Sequence, residues 1–298
     1  MEPPVQPHET DCCNSGCNPC ILDVYETQLK KYSEYLRKID NSEGRGVEII
    51  NSINPTVYTV FKLIDRKRVS NTTFLLKFEY ADAKDKTPNC LNYKSGQYFL
   101  LKAKDCNGEF TRAYTPIPVQ NDGGLVFTIL IRLYDWGRMS KLLKRLQIGH
   151  KTSWRGPYGD FSITYDYKHL FFIAQGTGIA PIFSVIDEIV RDEDCECFIK
   201  LFYCCRDCED ILLREELYKL GGYWNFSYEV FLGTTTNLVK KYNETVHETK
   251  LNFLNIKNHI DGKTGKLQAV ICGSDNFSNN IKSLVEKCGV ESTHIYVF

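Results

Sequence analysis

The sequence predicts a two-domain chain of the β plus α/β class: an antiparallel β-barrel is followed by an α/β domain with a parallel sheet, and a small Cys-rich head precedes both. The 298 residues suffice for two packed domains. β-branched and aromatic runs dominate residues 54–160, whereas apolar strands and helical patterns alternate through residues 165–298. Residues 1–40 differ from both segments, because four of the 13 cysteines fall within the first 20 positions.

The head combines closely spaced thiols with a helical pattern. Cys12, Cys13, Cys17 and Cys20 could supply the four thiolates that Zn²⁺ or an iron–sulfur cluster requires. Adjacent cysteines rarely bind one metal ion together, so we predict a reduced Cys-rich cap without metal and keep metal binding as the alternative. Between residues 23 and 39, apolar residues recur every three to four positions, which predicts a helix. These apolar positions are Val24, Leu29, Tyr32, Leu36 and Ile39.

The segment from residue 54 to residue 160 is typical of an antiparallel barrel. Its clearest strands are the runs TVYTVFKLI, TTFLLKFEY, QYFLLKA and LVFTILIRLY, which Gly, Asn and Asp residues separate. A helix is expected at Met139–Leu146, and Gly156–Gly159 is expected to form a tight turn.

Residues 165–298 predict a parallel sheet. The apolar run HLFFIAQ is typical of a strand buried on both faces, and a glycine turn and the helical pattern PIFSVIDEIV follow it. Further strands are expected at FIKLFYCC, YEVFLG and LQAVICG, and further helices at LLREELYKL and NNIKSLVEKC. Strands that alternate with helices form parallel sheets with right-handed crossovers.

Composition excludes several classes of partner. The 37 basic residues balance 37 acidic ones, so nothing favours bulk attraction to nucleic acid or to an acidic membrane. The longest apolar runs are far too short to cross a bilayer, and the first residues lack the pattern of a signal peptide. We therefore expect a soluble, cytoplasmic chain with reduced thiols and no direct membrane insertion.

The first motif that carries chemistry is Arg-Ala-Tyr-Thr-Pro-Ile at residues 112–117. A flavin needs a cation for its phosphate, an aromatic or hydroxyl partner along the ribityl chain, and a hydrogen bond near N5. Arg112 offers a guanidinium fork, Tyr114 a flat ring with a hydroxyl group, and Thr115 a hydroxyl group for the reactive edge. The alternative is an ordinary strand that ends at a proline turn.

The second motif, Gly137-Arg-Met-Ser140, opens the predicted helix. Glycine permits close backbone approach, and Ser140 is a favourable cap. The N–H groups and the dipole at a helix N-terminus favour a phosphate there. A plain capped helix explains the motif equally well.

Two further motifs end strands of the predicted parallel sheet. Gly176-Thr177-Gly178 follows HLFFIAQ, and its glycines clear space for a pyrophosphate to which Thr177 can donate. A third glycine of the dinucleotide fingerprint is missing, but the strand–turn–helix context still predicts a phosphate site. Ligands of open parallel sheets lie outside the carboxyl ends of the strands, so Cys272-Gly273 is expected to contact the same ligand. A lone cysteine is otherwise most often a small buried apolar residue.

In this order and spacing, the motifs resemble those of the ferredoxin-NADP reductase superfamily, and most closely its NADH-cytochrome b5 reductase branch, over about residues 54–298. The head is similar to the small oxidoreductase-like domain through Asp11-Cys-Cys13, Gly16-Cys17 and Cys20. The fusion of the two is the arrangement of the NADH-cytochrome b5 reductase-like proteins. The resemblance implies an oxidoreductase-like domain at 1–40, an FAD-binding barrel at 54–160 and an NAD(P)H-binding domain at 165–298.

The resemblance also implies a role for each site residue. FAD would be held by Arg112, Ala113, Tyr114 and Thr115, lined by Ile131 and Leu133, and clasped at its pyrophosphate by Gly137, Arg138, Met139 and Ser140. NADH would contact Arg132, Gly176, Thr177, Gly178, Asp210, Cys272 and Gly273, with Asp210 on the adenine ribose hydroxyls. Thr115 and Cys272 would be the catalytic residues, against the flavin and the nicotinamide.

The implied reaction is hydride transfer from NADH to FAD, followed by release of single electrons to an acceptor such as cytochrome b5. The basic residues Lys62, Arg66, Lys67 and Arg68 could steer an acidic haemoprotein, or could form a solvated strand edge. One alternative is reduction of a quinone or a ferric acceptor. Another is a low-turnover nucleotide-binding scaffold with a metal-binding head.

Some positions depart from the pattern of the branch. Ala180 occupies a position where the branch has Thr, and the connection from Tyr134 to Gly137 is short. Arg206 could meet a 2′-phosphate, but Asp210 would repel that phosphate, so we favour NADH over NADPH. A second group of cysteines is interpreted as core and surface thiols. Its members are Cys195, Cys197, Cys204, Cys205 and Cys208.

Overall fold

The computed structural model describes residues 4–7, 21–39, 51–82, 88, 90–119, 124–234, 238–263 and 266–298. The four head cysteines, and with them the question of a metal in the head, lie outside these residues. The chain divides into two compact units, of which the first includes Pro19–Phe161 and the second Ser162–Phe298. No helix in the described ranges is both long and apolar enough to cross a bilayer.

The first unit is built on an antiparallel sheet. Its elements are α1 Ile21–Ile39, β1 Thr59–Arg68, β2 Thr73–Tyr80, β3 Tyr98–Asp105, β4 Gly108–Tyr114, β5 Pro116–Ile117, β6 Val126–Arg132, α2 Arg138–Arg145 and β7 Lys151–Tyr158. The strand order is β4-β3-β7-β1-β2-β6-β5. Because β4 and β5 stand at opposite ends of this order and only Thr115 separates them, the sheet curls back on itself into a barrel.

Aromatic side chains fill the interior of this barrel. Phe61, Phe78, Phe99, Phe127 and Trp154 are completely buried. The ring of Phe127 lies 5.0 to 5.4 Å, between centroids, from the other four. Burial of these large apolar rings, mostly in edge-to-face contact, is the main stabilising contribution to this unit.

Helix α1 packs on the outside of the barrel. Val24 is 2 % exposed and contacts a cluster that contains Leu100 and Tyr158. One helical turn later, the Oε1 atom of Gln28 accepts a hydrogen bond of 2.6 Å from Nη2 of Arg155. The predicted helix is therefore confirmed, and its buried face is formed by residues four positions apart.

Two local predictions for this unit are wrong. Leu29, expected on the apolar face of α1, is 41 % exposed because it lies off the face that meets the barrel. The expected turn at residues 156–159 is for the most part strand, since β7 continues through Tyr158. A Cβ atom on Gly156 would lie 2.8 Å from Cδ1 of Phe99, so this glycine permits the close approach of two strands.

The second unit is built on a parallel sheet. Its elements are β8 His169–Gln175, α3 Ile179–Val190, β9 Phe198–Cys205, α4 Arg214–Leu220, β10 Phe226–Leu232, β11 Thr245–His247, α5 Phe253–Ile260, β12 Leu267–Cys272, α6 Asp275–Lys287 and β13 Ile295–Val297. The strand order is β11-β10-β9-β8-β12-β13, with all pairs parallel. The order reverses between β8 and β12, which is the topological switch point where such sheets bind ligands. The predicted fold class is confirmed for both sheets.

The second group of cysteines lies before, within and after β9. Cys195, Cys197 and Cys205 are buried, and Cys204 and Cys208 are half-buried. Burial raises the pKa of Cys197 and of Cys204 to about 12. Within the described ranges, no cluster of His, Cys, Asp or Glu side chains could hold a metal ion. The burial of Cys195, Cys197 and Cys205 is that of core thiols.

Candidate functional site

Strand β4 carries the predicted flavin motif on alternating faces. Tyr114 packs against the core residue Trp154, with 6.1 Å between the ring centroids. Arg112 shares this side of the strand, whereas Ala113 packs toward the outer cluster under α1. Thr115 follows at the point where the sheet curls from β4 to β5. The closure of the barrel thus fixes the position of this motif.

Strand β6 places the residues predicted to line the flavin, Ile131 and Leu133, on one face of the sheet and the predicted cation, Arg132, on the other. Ile131 is 2 % exposed and Leu133 is 5 % exposed, and both belong to the barrel core. Arg132 lies between them, pairs with Thr73 across the sheet and is half-buried. The two apolar residues contribute packing, and Arg132 points to the other face of the sheet.

Two guanidinium groups from separate motifs converge on the ring of Phe110. The Cζ atom of Arg138 lies 4.1 Å from the ring centroid, and that of Arg112 lies 6.0 Å from it. Arg138 forks onto Asp105, with Nε to Oδ2 at 2.8 Å and Nη2 to Oδ1 at 2.7 Å. Nη1 of Arg112 donates to the carbonyl oxygen of Thr111 at 2.8 Å. Two guanidinium groups that meet at one ring are an arrangement that suits a bound pyrophosphate.

The carboxylate of this group remains ionised under ordinary conditions. The hydrogen bonds from Arg138 are the main reason that the pKa of Asp105 falls to about 2. The pair therefore holds the Arg138 guanidinium in a fixed orientation at the start of α2.

The N-terminus of α2 lacks the side-chain cap that the sequence suggests. The helix begins after Gly137, which is extended, and no described side chain caps it. Ser140 lies inside the first turn, where its Oγ atom accepts a hydrogen bond of 3.0 Å from the N–H of Tyr134. The prediction that Ser140 caps the helix is therefore wrong. Met139 and Ser140 are buried, so this motif presents the backbone of the first turn together with the Arg138 side chain, as an anion site requires.

Two exposed aromatic rings stand directly before this helix. Tyr134 is 45 % exposed and Trp136 is 76 % exposed, and their ring centroids lie 5.9 Å apart. From the sequence, this connection could be identified only as short. Large exposed rings beside the candidate phosphate site are candidate contacts for an adenine.

The basic stretch of β1 is largely occupied by structural contacts. Nη1 of Arg66 donates to the carbonyl oxygens at the C-terminal end of α2, at 2.8 and 3.2 Å. Lys62 pairs with Glu79 at 3.1 Å, and Arg68 donates to the side chain of Asn71 at 2.8 Å. Arg66 thus anchors α2 and satisfies its last carbonyl groups, which gives this stretch a structural role.

The predicted dinucleotide motifs meet at the switch point of the parallel sheet. Ala174 of β8 lies opposite Cys272 of β12, so the segments that follow these two strands are neighbours. A Cβ atom on Gly178 would lie 2.6 Å from the carbonyl oxygen of Cys272. Gly176 has a φ of +54°, in the left-handed region. Only glycine leaves the space for this close approach, and Thr177 lies partly exposed between the two glycines.

Polar side chains that the sequence analysis did not identify fix the segments that follow β8 and β12. The region between these segments at the switch point is called the crevice below. The hydroxyl group of the buried Tyr203 donates to the carbonyl oxygen of Gly176 at 3.0 Å. Oε1 of Gln175 accepts a hydrogen bond of 2.9 Å from the hydroxyl group of Ser274. A Cβ atom on Gly273 would lie 2.9 Å from Cβ of Gln175. A tyrosine within the apolar strand β9 was the available signal, because a buried hydroxyl group needs a partner.

Cys272 contributes a neutral thiol to this crevice. The residue is 7 % exposed, and burial raises the pKa of its thiol to about 12. The thiol therefore stays protonated at neutral pH and does not act as a base.

The acid expected to contact ribose is buried and ion-paired. Asp210 is 1 % exposed, and its Oδ2 atom lies 3.2 Å from Nη2 of Arg206. The Arg206 side chain is 64 % exposed and also pairs with Asp207 at 2.9 Å. The carboxylate that would favour NADH and the guanidinium that would favour NADPH thus neutralise each other.

Comparison with known proteins identifies the domains of the chain. Models of an oxidoreductase FAD-binding domain and an oxidoreductase NAD-binding domain match residues 60–163 and 172–283. The model "Oxidoreductase-like protein, N-terminal" matches residues 1–41. The human protein "NADH-cytochrome b5 reductase-like" is 30 % identical over 302 residues, which cover 99 % of this chain and 94 % of the human one. The chain belongs to the NADH-cytochrome b5 reductase-like family. It is an FAD-dependent oxidoreductase that takes electrons from NADH and passes them to an acceptor.

Other relatives extend this result. The mouse member of the NADH-cytochrome b5 reductase-like family is 28 % identical, and the match covers 99 % of this chain and 95 % of the mouse protein. The cytochrome b5 reductase domain of Ulva prolifera nitrate reductase superimposes with a TM-score of 0.69 at 21 % identity, over 83 % of this chain and 99 % of that domain. The CS-b5R domains of human Ncb5or superimpose with a TM-score of 0.67 at 23 % identity, over 81 % of this chain and 69 % of that one. At these identities the two structures support the fold alone.

Proposed function

We propose that this chain is an NADH-dependent reductase of a one-electron haem acceptor of the cytochrome b5 type. The observation that carries the proposal is the close approach of Gly178 to Cys272 at the switch point, because it brings the glycine turn and a neutral thiol together where parallel sheets bind their ligands. The human relative bears the name of an NADH-cytochrome b5 reductase-like protein, which supports NADH as the donor and cytochrome b5 as the acceptor.

The residues of the barrel fit FAD. Arg112 and Arg138 would hold its pyrophosphate, because both guanidinium groups contact Phe110 beside the uncapped start of α2. Tyr114 and Thr115 would lie along the ribityl chain and the reactive edge of the ring. When bound, FAD accepts a hydride from NADH and releases the electrons one at a time.

The residues of the parallel sheet fit NADH. Backbone at Gly176 and Gly178 would approach the pyrophosphate, and Thr177 would donate to it. The Cys272 thiol would pack against the nicotinamide and exclude water from one face of the ring. Asp210 would accept hydrogen bonds from the ribose hydroxyl groups after exchanging its contact with Arg206. No acid–base pair is needed, since the transferred hydride carries its own electrons.

Anaerobic titration of the purified chain tests this proposal. NADH should bleach the flavin at one equivalent, and added ferric cytochrome b5 should restore the colour faster than a quinone or a ferric chelate does. Faster reoxidation by a quinone would show that the acceptor is a quinone, and the chain would still be an NADH-dependent reductase. A preparation that neither retains FAD nor bleaches with NADH would support the scaffold alternative instead.

A further inference from the structure

A cavity of about 630 Å³ lies in the second unit, apart from the dinucleotide crevice. Its lining includes the first residues of three neighbouring strands, His169 of β8, Phe198 of β9 and Phe226 of β10, together with residues of α5. The glycine turn and Cys272 follow the other ends of the strands. Because the strands are parallel, the cavity lies at their amino ends and the crevice at their carboxyl ends. The reaction proposed above does not use the cavity.

Exposed aromatic rings form one side of this cavity. Phe198 is 45 % exposed and Trp224 is 72 % exposed, and their rings meet edge to face with 5.9 Å between centroids. His169 stacks on Phe198 at 5.7 Å between ring centroids. Aromatic rings that line a cavity and remain open to solvent suit a planar aromatic ligand.

The cavity carries an excess of positive charge. Glu229 is the single acid among the lining residues, and the Lys200 ammonium neutralises it, while the His247 ring contacts its second oxygen. Nζ of Lys200 lies 2.8 Å from Oε1, and Nε2 of His247 lies 2.6 Å from Oε2. Lys263 donates to the carbonyl oxygen of His259 at 2.8 Å and has no acidic partner within the lining. An anionic group is therefore attracted to the Lys263 side of the cavity.

The two histidines of the lining add no charge of their own. Burial, followed by nearby lysines, lowers the pKa of His259 to about 3. The same causes lower the pKa of His169, where Lys168 and Lys266 act together with Lys263. Both rings are thus neutral at physiological pH, and the lysines alone make the local potential positive.

Asn225 gives an independent sign of a ligand. This lining residue is 6 % exposed, and its Nδ2 atom donates to the carbonyl oxygen of Cys197 at 3.2 Å. Its Oδ1 atom is buried and has no hydrogen-bond donor among the described residues. Buried carbonyl oxygens in folded proteins almost always have a donor, so this atom of a lining residue is available to an N–H or O–H group of a ligand that reaches it.

We propose that this cavity binds a small aromatic anion that carries a hydrogen-bond donor. The ring lies against Phe198 and Trp224, the anionic group faces Lys263, and the donor bonds to Oδ1 of Asn225. The volume suits a small molecule, because ligand pockets of this kind measure about 300–1,000 Å³. A hydroxylated aromatic acid and a purine mononucleotide share this chemistry, and 4-hydroxybenzoate and AMP serve as their probes.

Calorimetric titration of the full-length holoenzyme, saturated with NAD⁺, tests the proposal. NAD⁺ keeps AMP out of the crevice, so any heat comes from a second site. At least one probe should bind with one-to-one stoichiometry, and the identity of that probe tells the two sources apart. Trp224→Ala and Lys263→Met should each weaken binding about tenfold or more, because they remove the ring contact and the cation. Tyr242→Ala is the matched control, since this ring is 82 % exposed in the same unit and outside the lining.

Oxidation of NADH should be unchanged in Trp224→Ala and in Lys263→Met, because neither residue lies at the crevice. Three outcomes would overturn the proposal: no heat with either probe, binding that both cavity variants leave intact, or binding that appears only when NAD⁺ is omitted. Since Trp224 is mostly exposed, its replacement keeps the fold and the result interpretable.

Discussion

Gln28 of α1 and Arg155 of β7 are joined by a hydrogen bond of 2.6 Å across 127 positions of sequence. Arg155 is 6 % exposed, and its Cζ atom also lies 4.7 Å from the ring centroid of Tyr58. Leu100 lies opposite both Arg155 and Ala113, so α1 covers one row of residues on the outer face of the barrel. Arg112 belongs to the next cross-strand pair of β3 and β4, directly beside the pair of Leu100 and Ala113. The helix of the N-terminal segment therefore supports the strand that bears the proposed flavin motif.

Gln28→Ala should destabilise the barrel. Loss of the acceptor leaves buried Arg155 N–H groups unsatisfied, which costs about 1 to 3 kcal/mol of unfolding free energy. Denaturant unfolding, followed by flavin fluorescence, measures this change. Leu29→Ala on the exposed side of the same helix should have little effect. An unfolding midpoint for Gln28→Ala equal to that of Leu29→Ala would show that the hydrogen bond is dispensable.

Arg138→Leu should weaken FAD binding. Hydrogen bonds to charged groups contribute about 1.5 to 3 kcal/mol, which corresponds to about a ten- to hundredfold rise in the dissociation constant. Equilibrium dialysis of the apoprotein against FAD measures it. Arg145→Leu, in the last turn of the same helix, is the control. Equal affinity for FAD in the two variants would show that Arg138 does not contribute to FAD binding.

Gly178→Ala should slow reduction by NADH about a hundredfold or more while FAD stays bound. The added methyl group would lie 2.6 Å from the carbonyl oxygen of Cys272, which forces the glycine turn away from the crevice. A displacement of about 1 Å costs about a hundredfold in rate, so stopped-flow bleaching should slow by at least that factor. Gly222→Ala on an exposed turn, where the nearest atom is 3.2 Å away, is the control. Normal bleaching by Gly178→Ala would place the dinucleotide elsewhere.

Asp210→Ala should shift cofactor preference toward NADPH. Arg206 would keep its pair with Asp207 through Nε, but its Nη2 atom would be released to meet a 2′-phosphate, and the repulsion from Asp210 would be gone. We expect the ratio of kcat/KM for NADPH to that for NADH to rise about tenfold or more. Glu209→Ala, an exposed acid one position away, tests whether general negative charge explains the preference. Equal shifts in both variants would count against a specific role for Asp210.

The rate of flavin reduction should not depend on ionisation of Cys272. An ordinary thiol titrates near pH 8.5, whereas burial raises the pKa of Cys272 to about 12, so the thiol stays protonated between about pH 6 and pH 9. Stopped-flow rates over this range should show no step from this residue. Comparison with Cys272→Ala supplies the control. A step near pH 8.5 that disappears in the variant would show a titrating thiol.

The sequence predicted the local elements better than the contacts between them. Strand runs and glycine motifs depend on nearby residues, so β9 and the turn at Gly176 were found from their patterns. The contacts from Tyr203 to Gly176 and from Gln175 to Ser274 depend on strand order and register, which no local pattern contains. Short elements such as β11 and β13, of three residues each, bury too little to leave a periodic signal.

The placement of α1 shows the same limit. Hydrophobic periodicity predicted the helix correctly but selected Leu29 for its buried face. The structure buries Gln28 instead, because the barrel offers Arg155 as a donor at that position. A polar residue becomes favourable inside only when its partner is known, and that partner lies in another element.

The switch point has a consequence for how the protein is made. Gly176 and Cys272 come from strands that are neighbours in the sheet, yet three other strands and the helices between them are synthesised in the interval. A ribosome-bound chain that has just completed β8 contains the strand that precedes the glycine turn but not yet Cys272, which faces that turn. NADH can therefore stabilise this unit only after β12 has been synthesised, whereas the barrel strands all precede β8 in the chain.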